Sequence, residues 1–289
     1  MKRMGLRQPR AGQPGLVLII VLWIIALLAV MAGAFAYAMQ TETRLATGTV
    51  ERAQARALAE AGIAYALAWQ LDPESRQQWL PNGDERDWTF GGAQLRIRTV
   101  DAGGLINLNT ADAELLKALL AAAGVEARGQ DSLAAAIQEQ RNPTEARLTQ
   151  RSPGLRSAGF ESIEDLQRVP GMTLAVYARI AGLVTVFSDH QGVNPALAPA
   201  PLLLALGMDE RAVADYVEAR ARAPAGGLPP PLPTGRRSFL FSQNVSNIYH
   251  IAVAAETATG VTATVAAVLD NRGSMGGQLP RLLAWRDGR

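Results

Sequence analysis

The 289-residue chain contains no cysteine, which excludes a disulfide framework, a thiolate metal site and a cysteine nucleophile. It has only two histidines, His190 and His250, too few for a His-rich zinc centre. Its serines stand in no GxSxG context, and neither HExxH nor a phosphate-binding GxxxxGK[ST] loop occurs. The chain is therefore expected to be non-catalytic. What it does have is apolar mass, because 48% of its residues are hydrophobic and 19% charged, so it can bury at least one sizeable core. The length suits one large domain or two smaller ones.

An excess of charge of one sign is also missing once position is considered. Basic residues number 28 against 26 acidic ones, but Lys2, Arg3, Arg7 and Arg10 sit in the first fifteen residues with no acid beside them. The remainder carries 24 basic and 26 acidic residues, a net of −2. A net-acidic body is a poor electrostatic match for a polyanion.

Behind the basic segment, Leu16 to Met39 form 24 residues without a charge, LVLIIVLWIIALLAVMAGAFAYAM. As a helix such a run is about 36 Å long, enough to cross a hydrocarbon core of about 30 Å. It is longer than an ordinary secretory apolar region. The cations ahead of it, against only Arg44 in the ten residues after it, predict a cytoplasmic N-terminus and an exported body. Residues 40 to 71 have no proline, are rich in alanine, and place Leu45, Ala53, Ala57, Ala61, Ala64, Ala68 and Leu71 at helical spacing. Arg56 and Glu60, four apart, share an exposed face. One helix is expected to continue from the membrane to about Asp72-Pro73.

Beyond the stalk the periodicity changes. WTFGGAQLRIRTVD (88 to 101) has a Gly91-Gly92 turn and alternation through Leu95, Ile97 and Thr99, a half-buried hairpin. The signal stops at Asp101-Ala-Gly-Gly104. LINLNTADAELLKALLAAAG then reads as a short strand and a helix capped by Asn109 or Thr110, with Asp112 and Glu114 in its first turn. Helical pieces occupy about 107 to 222: Ala134 to Arg141, ending at Asn142-Pro143; 160 to 186, opening on a capping-box-like Ser162-Ile-Glu-Asp165 and bent at Val169-Pro-Gly-Met172; and a third from Val193. Aligned from Ile106 and Val193, fourteen positions share seven identities, including Asn107 with Asn194 and Leu115-Leu116 with Leu202-Leu203, a weak internal repeat. After the Pro/Gly-rich stretch 223 to 235, strands return at 247 to 257 and 259 to 270 around Thr259-Gly260, with a last short one at Leu282 to Trp285. In the first of these, Ile248, His250 and Ala252 face opposite to Tyr249, Ile251 and Val253. His250 reads as a structural histidine, and Trp69, Trp79 and Trp88 as packing between stalk and sheet.

Gly15 directly before Leu16, behind a short basic leader, resembles the site cut by prepilin peptidases, so the chain resembles the type IV pilin and type II secretion pseudopilin superfamily. It departs from most members at the fifth position after the cut, where glutamate is usual and Ile20 stands here. A carboxylate in an apolar filament core needs a partner; in these filaments it is thought to pair with a neighbour's N-terminal amine. A subunit with Ile20 does not need that neighbour and suits a filament tip. This absence, with INLNTA and DLQRVPGMT following a membrane helix and a hairpin, resembles the minor pseudopilin K family of the general secretion pathway. The resemblance covers nearly the whole chain, most weakly at 72 to 87 and 223 to 245.

It implies an α+β fold: a pilin-like long N-terminal transmembrane helix packed on an antiparallel sheet, with a large inserted all-α domain containing helix-hairpin-helix-like pieces. The boundaries expected are a leader at 1–15, transmembrane and stalk helix at 16–71, the first part of the sheet domain at 72–106, the inserted α-helical domain at 107–222, a Pro/Gly linker at 223–235 and the rest of the sheet domain at 236–289. It further implies cleavage after Gly15, N-methylation at Leu16, an inner-membrane anchor with a periplasmic body, and a place at the tip of a secretion pseudopilus. The partners implied are the minor pseudopilins of I, J and H types, the major pseudopilin and the prepilin peptidase. Such pseudopilins often bind calcium through oxygen ligands. No segment has EF-hand-like spacing, and Asp189, Asn194, Asp270 and Asn271 are candidates by residue type alone.

Two other readings compete. INLNTADAELL and DLQRVPGMT also resemble helix-hairpin-helix modules, whose hairpin amides hold a DNA phosphate. Such hairpins carry a second glycine and nearby lysines. Here Thr173 takes the glycine's place, and residues 160 to 187 have a net of −1 and no lysine. Nucleic acid is therefore not expected as a partner. The other alternative is a minor pilin of a type IV pilus.

Overall fold

The structure, a computed structural model, describes residues 14–141, 159–223, 229–235, 237–273 and 278–288. Most of the basic leader, the Asn142-Pro143 helix stop and 224–228 of the Pro/Gly stretch lie outside the described residues. The chain divides into two units, one up to Gln54 and one from Ala55.

Helix α1 (Pro14–Leu71) runs through both, ending just before Asp72-Pro73 as the proline predicts. In the first unit every large apolar residue from Val17 to Met39 is exposed, as in a helix whose solvent is lipid. The helix is long and apolar enough to cross a membrane. Beyond Met39, within the same helix, Thr41, Thr43, Thr47 and Thr49 each return their hydroxyl to the carbonyl four residues back. These bonds keep the hydroxyls satisfied where the composition turns polar.

The second unit is built on a five-stranded antiparallel sheet of order β1 (Asn82–Phe90), β2 (Ala93–Asp101), β5 (Ile248–Glu256), β6 (Thr262–Asp270) and β7 (Arg281–Asp287). Short helix α2 (Pro73–Gln78) precedes β1, capped by Asp72. The β1–β2 hairpin turns at Gly91 and Gly92, whose φ values of 59° and 78° are the left-handed pair a two-residue hairpin needs. Alternation then decides the faces. Leu95, Ile97, Tyr249, Ile251, Val253, Val265, Ala267 and Leu269 share one face with Ala59, Ile63 and Ala66 of α1. Gly62 lets α1 approach closely, because a Cβ there would stand 2.7 Å from the Val253 Cγ1.

Between the neighbouring strands β2 and β5 the chain leaves the sheet and builds a second core. It comprises β3 (Ile106–Asn107), α3 (Ala113–Ala122), α4 (Ala127–Arg141), a 3-10 segment Ile163–Arg168, α5 (Leu174–Ile180), β4 (Val184–Thr185), α6 (Ala200–Ala205) and α7 (Glu210–Arg222). Strands β3 and β4 pair in parallel. Leu108, Leu116, Leu120, Leu166, Leu202 and Leu203 are fully buried there. The segment 237–247 belongs to this packing too, since Leu240 lies in the same core and the sheet resumes only at Ile248.

Two local expectations change. The cap of α3 is Asp112, whose carboxylate accepts the Leu115 N–H at 2.7 Å, rather than Asn109 or Thr110. Those two are diverted: Asn109 bonds both the N–H and the C=O of Phe160, and Thr110 bonds the His190 carbonyl. The Ser162–Asp165 capping box forms, but on a 3-10 turn, which Val169-Pro170-Gly171 stops before it becomes α-helical.

The internal repeat is structural. Asn107 accepts the Asn109 N–H at 2.7 Å, and Asn194 accepts the Ala196 N–H at 3.0 Å, the same side-chain turn before α3 and before α6. Each helix ends at a glycine of positive φ, Gly124 at 82° and Gly207 at 93°. Helix α3 has 10 residues and α6 has 6, so the copies differ by about one helical turn.

Candidate interaction surfaces and the residues behind them

Three regions carry the sequence-derived candidates: the apolar helix, the stalk, and the seam between sheet and insertion. Gly15 and Leu16 fall in the opening turns of α1. Ile20 lies within the exposed apolar run, 52% exposed, with the same surroundings as Ile19 and Val21.

On the stalk, the alanines picked out by spacing are not those that meet the sheet. Ala55, Ala59, Gly62, Ile63, Ala66 and Gln70 are buried, whereas Ala53, Ala57, Ala64, Ala68 and Leu71 are exposed on the opposite side of α1. The helix thus has two small-residue faces, one used by its own sheet and one free. Arg56 and Glu60 pair at 2.9 Å as expected, and Arg56 also reaches Asp287 of β7 at 3.1 Å.

The other flank of the stalk is aromatic. Tyr65 stacks on Trp88 at 4.0 Å, Trp88 stacks on Phe90 at 4.6 Å, and Trp69 meets Trp79 edge-on at 6.1 Å. The Arg86 guanidinium lies 4.3 Å from the Trp69 ring and 5.0 Å from the Trp79 ring. These tryptophans pack stalk against sheet, with cation–π attraction fixing the arginine between two rings.

At the seam, Asp101 ends β2 and is fully buried. Its carboxylate accepts the Gly103 N–H at 2.7 Å, the Ser246 N–H at 2.9 Å and the Asn247 N–H at 2.8 Å. Burial pushes this carboxyl above its ordinary value, while the three N–H donors pull it back. One carboxylate therefore closes the loop that the insertion opens. Asn194 joins the same place, its N–H bonded to the Gly103 carbonyl and its amide to the Asn244 carbonyl.

His250 lies on the sheet's other face, with Nε2 3.0 Å from the Thr185 hydroxyl of β4. Desolvation, helped by Arg286, pulls it down to about 4, so it is neutral near pH 7. Arg220 of α7, 2% exposed, donates to the Ala198 carbonyl at 2.6 Å and reaches Asp84 of β1 at 3.3 Å. Burial holds its guanidinium below the usual value, and Asp84 opposes this.

Sequence reasoning missed Asp101 and Arg220 as tethers. Asp101 had a readable signal, an acid at the strand end before Ala-Gly-Gly, which favours a side-chain turn. Arg220 had none, since it is one more arginine on a polar helix.

The four oxygen-bearing candidates for calcium do not form a donor set. Arg272 donates to Asp189 at 3.0 Å and to Asp270 at 3.0 Å, placing a cation where a metal would need to stand. Arg272 also holds the Asp270 carboxyl below its ordinary value. Asn194 is committed to its turn, and Asn271 is buried with its backbone on Asn247. Among the described residues no group of three or more His, Cys, Asp or Glu side chains is arranged to hold a metal.

Glycine-bearing hairpins are present at Gly124, Gly171 and Gly207. Around Gly171, Glu161, Glu164 and Asp165 outnumber Arg168 and Arg179, so the surface stays short of the positive charge that phosphate binding rests on.

No family model matches the chain. No curated protein matches it either. Among solved structures it is similar to a chain of the GspK-GspI-GspJ complex from the type 2 secretion system of enterotoxigenic Escherichia coli, with 17% identity and a TM-score of 0.49 over 82% of this chain and 99% of that one.

Proposed function

We propose that this chain is a pilin-like subunit of a cell-envelope filament. In particular we read it as a minor pseudopilin of the K type, at the tip of a type II secretion pseudopilus, where it helps start assembly and so supports protein export across the outer membrane. The observation that carries this reading is the placement of the second core. An apolar N-terminal helix continues onto an antiparallel sheet, and the helical insertion leaves between β2 and β5, which pair with each other as if nothing stood between them.

In this reading the chain is cut after Gly15, methylated at Leu16 and held in the inner membrane by 16–39, its N-terminus cytoplasmic and its body periplasmic. The free alanine face of α1, with Ala53, Ala57, Ala64 and Ala68, supports close packing against the stalks of I-, J- and H-type minor pseudopilins and of the major pseudopilin. Ile20 leaves no carboxylate in want of a neighbour, which suits the terminal place. The bulk of the insertion leaves little room for another subunit above it. Its role is structural rather than enzymatic.

The test is the intact mass and N-terminal residue of the membrane-extracted protein, made with and without an active prepilin peptidase. Loss of fifteen residues and gain of one methyl group on Leu16, only with the peptidase, is expected. A chain starting at Met1 in both preparations would remove it from pilin-like subunits.

A further inference from the structure

Arg98 of β2, Ala252 of β5, Ala266 of β6 and Arg286 of β7 stand in one register row across four adjacent strands. Directly opposed residues point to the same face, here the face away from α1. With strands about 4.8 Å apart, the two arginine Cα atoms are about 14 Å apart, and between them lie only two methyl side chains. Long side chains at both ends can therefore converge over a flat alanine floor.

His250, one row along and paired with Val100 and Val268, stands at the end of this floor. Ile163, Gly182 and Val184 of the insertion lie over it, enclosing a cavity of about 130 Å³. Gly182 is the part of the roof beside Arg98. A Cβ there would stand 3.8 Å from Arg98 Nη2, so the guanidinium already reaches under the insertion.

The charges around this cavity do not balance. Arg286 is paired with Glu164 at 3.0 Å. Arg98 makes no ion pair among the described residues, for Glu85, its register partner on β1, turns its carboxylate to Arg96 at 3.5 Å. His250 has the neutral Thr185 hydroxyl as its partner. Two guanidinium groups and an imidazole thus share one carboxylate. Guanidinium forks are shaped for two-pronged bonds to oxyanions, and an anion here would relieve the repulsion that helps keep His250 unprotonated.

We propose that this cavity binds a compact oxyanion, a carboxylate or a phosphate- or sulfate-type ion, held by Arg98 and Arg286 above the Ala252–Ala266 floor with His250 at its end. The volume, about four water molecules' worth, admits such an ion and excludes a nucleotide or a folded partner. Because floor and roof come from the sheet and the insertion, occupancy fastens one to the other and stabilises the chain by mass action.

The experiment uses the full chain in detergent at constant ionic strength. Inorganic phosphate, sulfate and acetate are each titrated against chloride, reading the unfolding temperature and the His250 imidazole by NMR. A saturable rise in unfolding temperature is expected, with an upward shift of the His250 titration by about one unit or more. Saturation by acetate alone would identify a carboxylate ligand, and saturation by phosphate or sulfate alone an inorganic one. Arg98→Ala, at an exposed position, should weaken the apparent affinity at least about tenfold. Ala266→Leu, which fills the floor and leaves every charge in place, should abolish binding, while Arg128→Ala on α4 should change nothing. A response no larger than that to chloride, or one that survives Arg98→Ala and Ala266→Leu alike, overturns the proposal.

Discussion

Asp101 and Asn247 are 146 residues apart in sequence, yet the Asp101 carboxylate accepts the Asn247 N–H at 2.8 Å. Asn247 adopts a left-handed backbone, with φ at 55°, and its N–H sits beside that of Ser246 on the same carboxylate. The insertion thus begins and ends on one side chain, and the sheet receives β5 in register with β2. Replacing Asp101 by Ala would strand the buried Gly103 and Ser246 N–H groups and the half-buried Asn247 N–H, and a loss of about 3 kcal/mol is expected. Urea unfolding of the full chain checks this. A midpoint equal to wild type would show that the seam closes without the carboxylate.

The contact between His250 of the sheet and Thr185 of the insertion is sensitive to pH in a definite direction. His250 titrates near 4 in the folded chain, below its ordinary value of 6.5, chiefly because burial disfavours the cation. Between these values the unfolded chain takes up a proton that the folded one refuses, so stability is present above 6.5 and is lost as pH falls toward 4. The loss from this group is up to about 3 kcal/mol. His250→Gln should flatten that part of the stability profile while leaving the Thr185 contact available. A profile of unchanged slope in the variant would move the acid sensitivity elsewhere.

How far the sequence disclosed this architecture depends on the range of the interactions. The β1–β2 and β5–β6 hairpins were legible because a period of two and a glycine turn are local signals. The parallel β3–β4 pair was not, being two short pieces whose only evidence is each other. Along the stalk, helical spacing showed an alanine stripe but not which stripe meets the sheet. Ala55, Ala59 and Ala66 recur much as Ala53, Ala57, Ala64 and Ala68 do, and only the position of Gly62 against Val253 separates the faces. The Asn107 and Asn194 repeat was visible as identities, whereas its meaning, a turn that launches each helix, needed the hydrogen bonds. Leu16 to Met39 was readable at once, since no contact is required to interpret 24 residues without a charge.

Close backbone approach at the seam yields a third expectation. A Cβ on Gly104 would fall 2.1 Å from the Leu197 carbonyl oxygen, and both belong to main chain that cannot swing away. Gly104→Ala should therefore cost at least about 3 kcal/mol, more than an ordinary glycine-to-alanine change. Gly92→Ala, where nothing lies within 4 Å, is the control for left-handed strain without a clash. Comparable unfolding midpoints for the two variants would contradict the packing argument.

The insertion itself provides the decisive separation of fold from role. Strands β2 and β5 are antiparallel neighbours from Gln94 opposite Glu256 to Asp101 opposite Tyr249, so a two-residue turn can join them directly. A chain with residues 102–248 replaced by such a turn keeps α1, the aromatic flank, β1, β2, β6, β7 and β5 from Tyr249 onward. It loses its second core, whose residues pack mainly among themselves. The expected product is membrane-inserted, retains the near-ultraviolet signature of the Tyr65–Trp88 stack, and fails to restore secretion in cells lacking the intact protein. Retained aromatic signal with lost secretion places the role in the insertion. Undiminished secretion by the shortened chain would refute the proposed tip role, which rests on the bulk of the insertion.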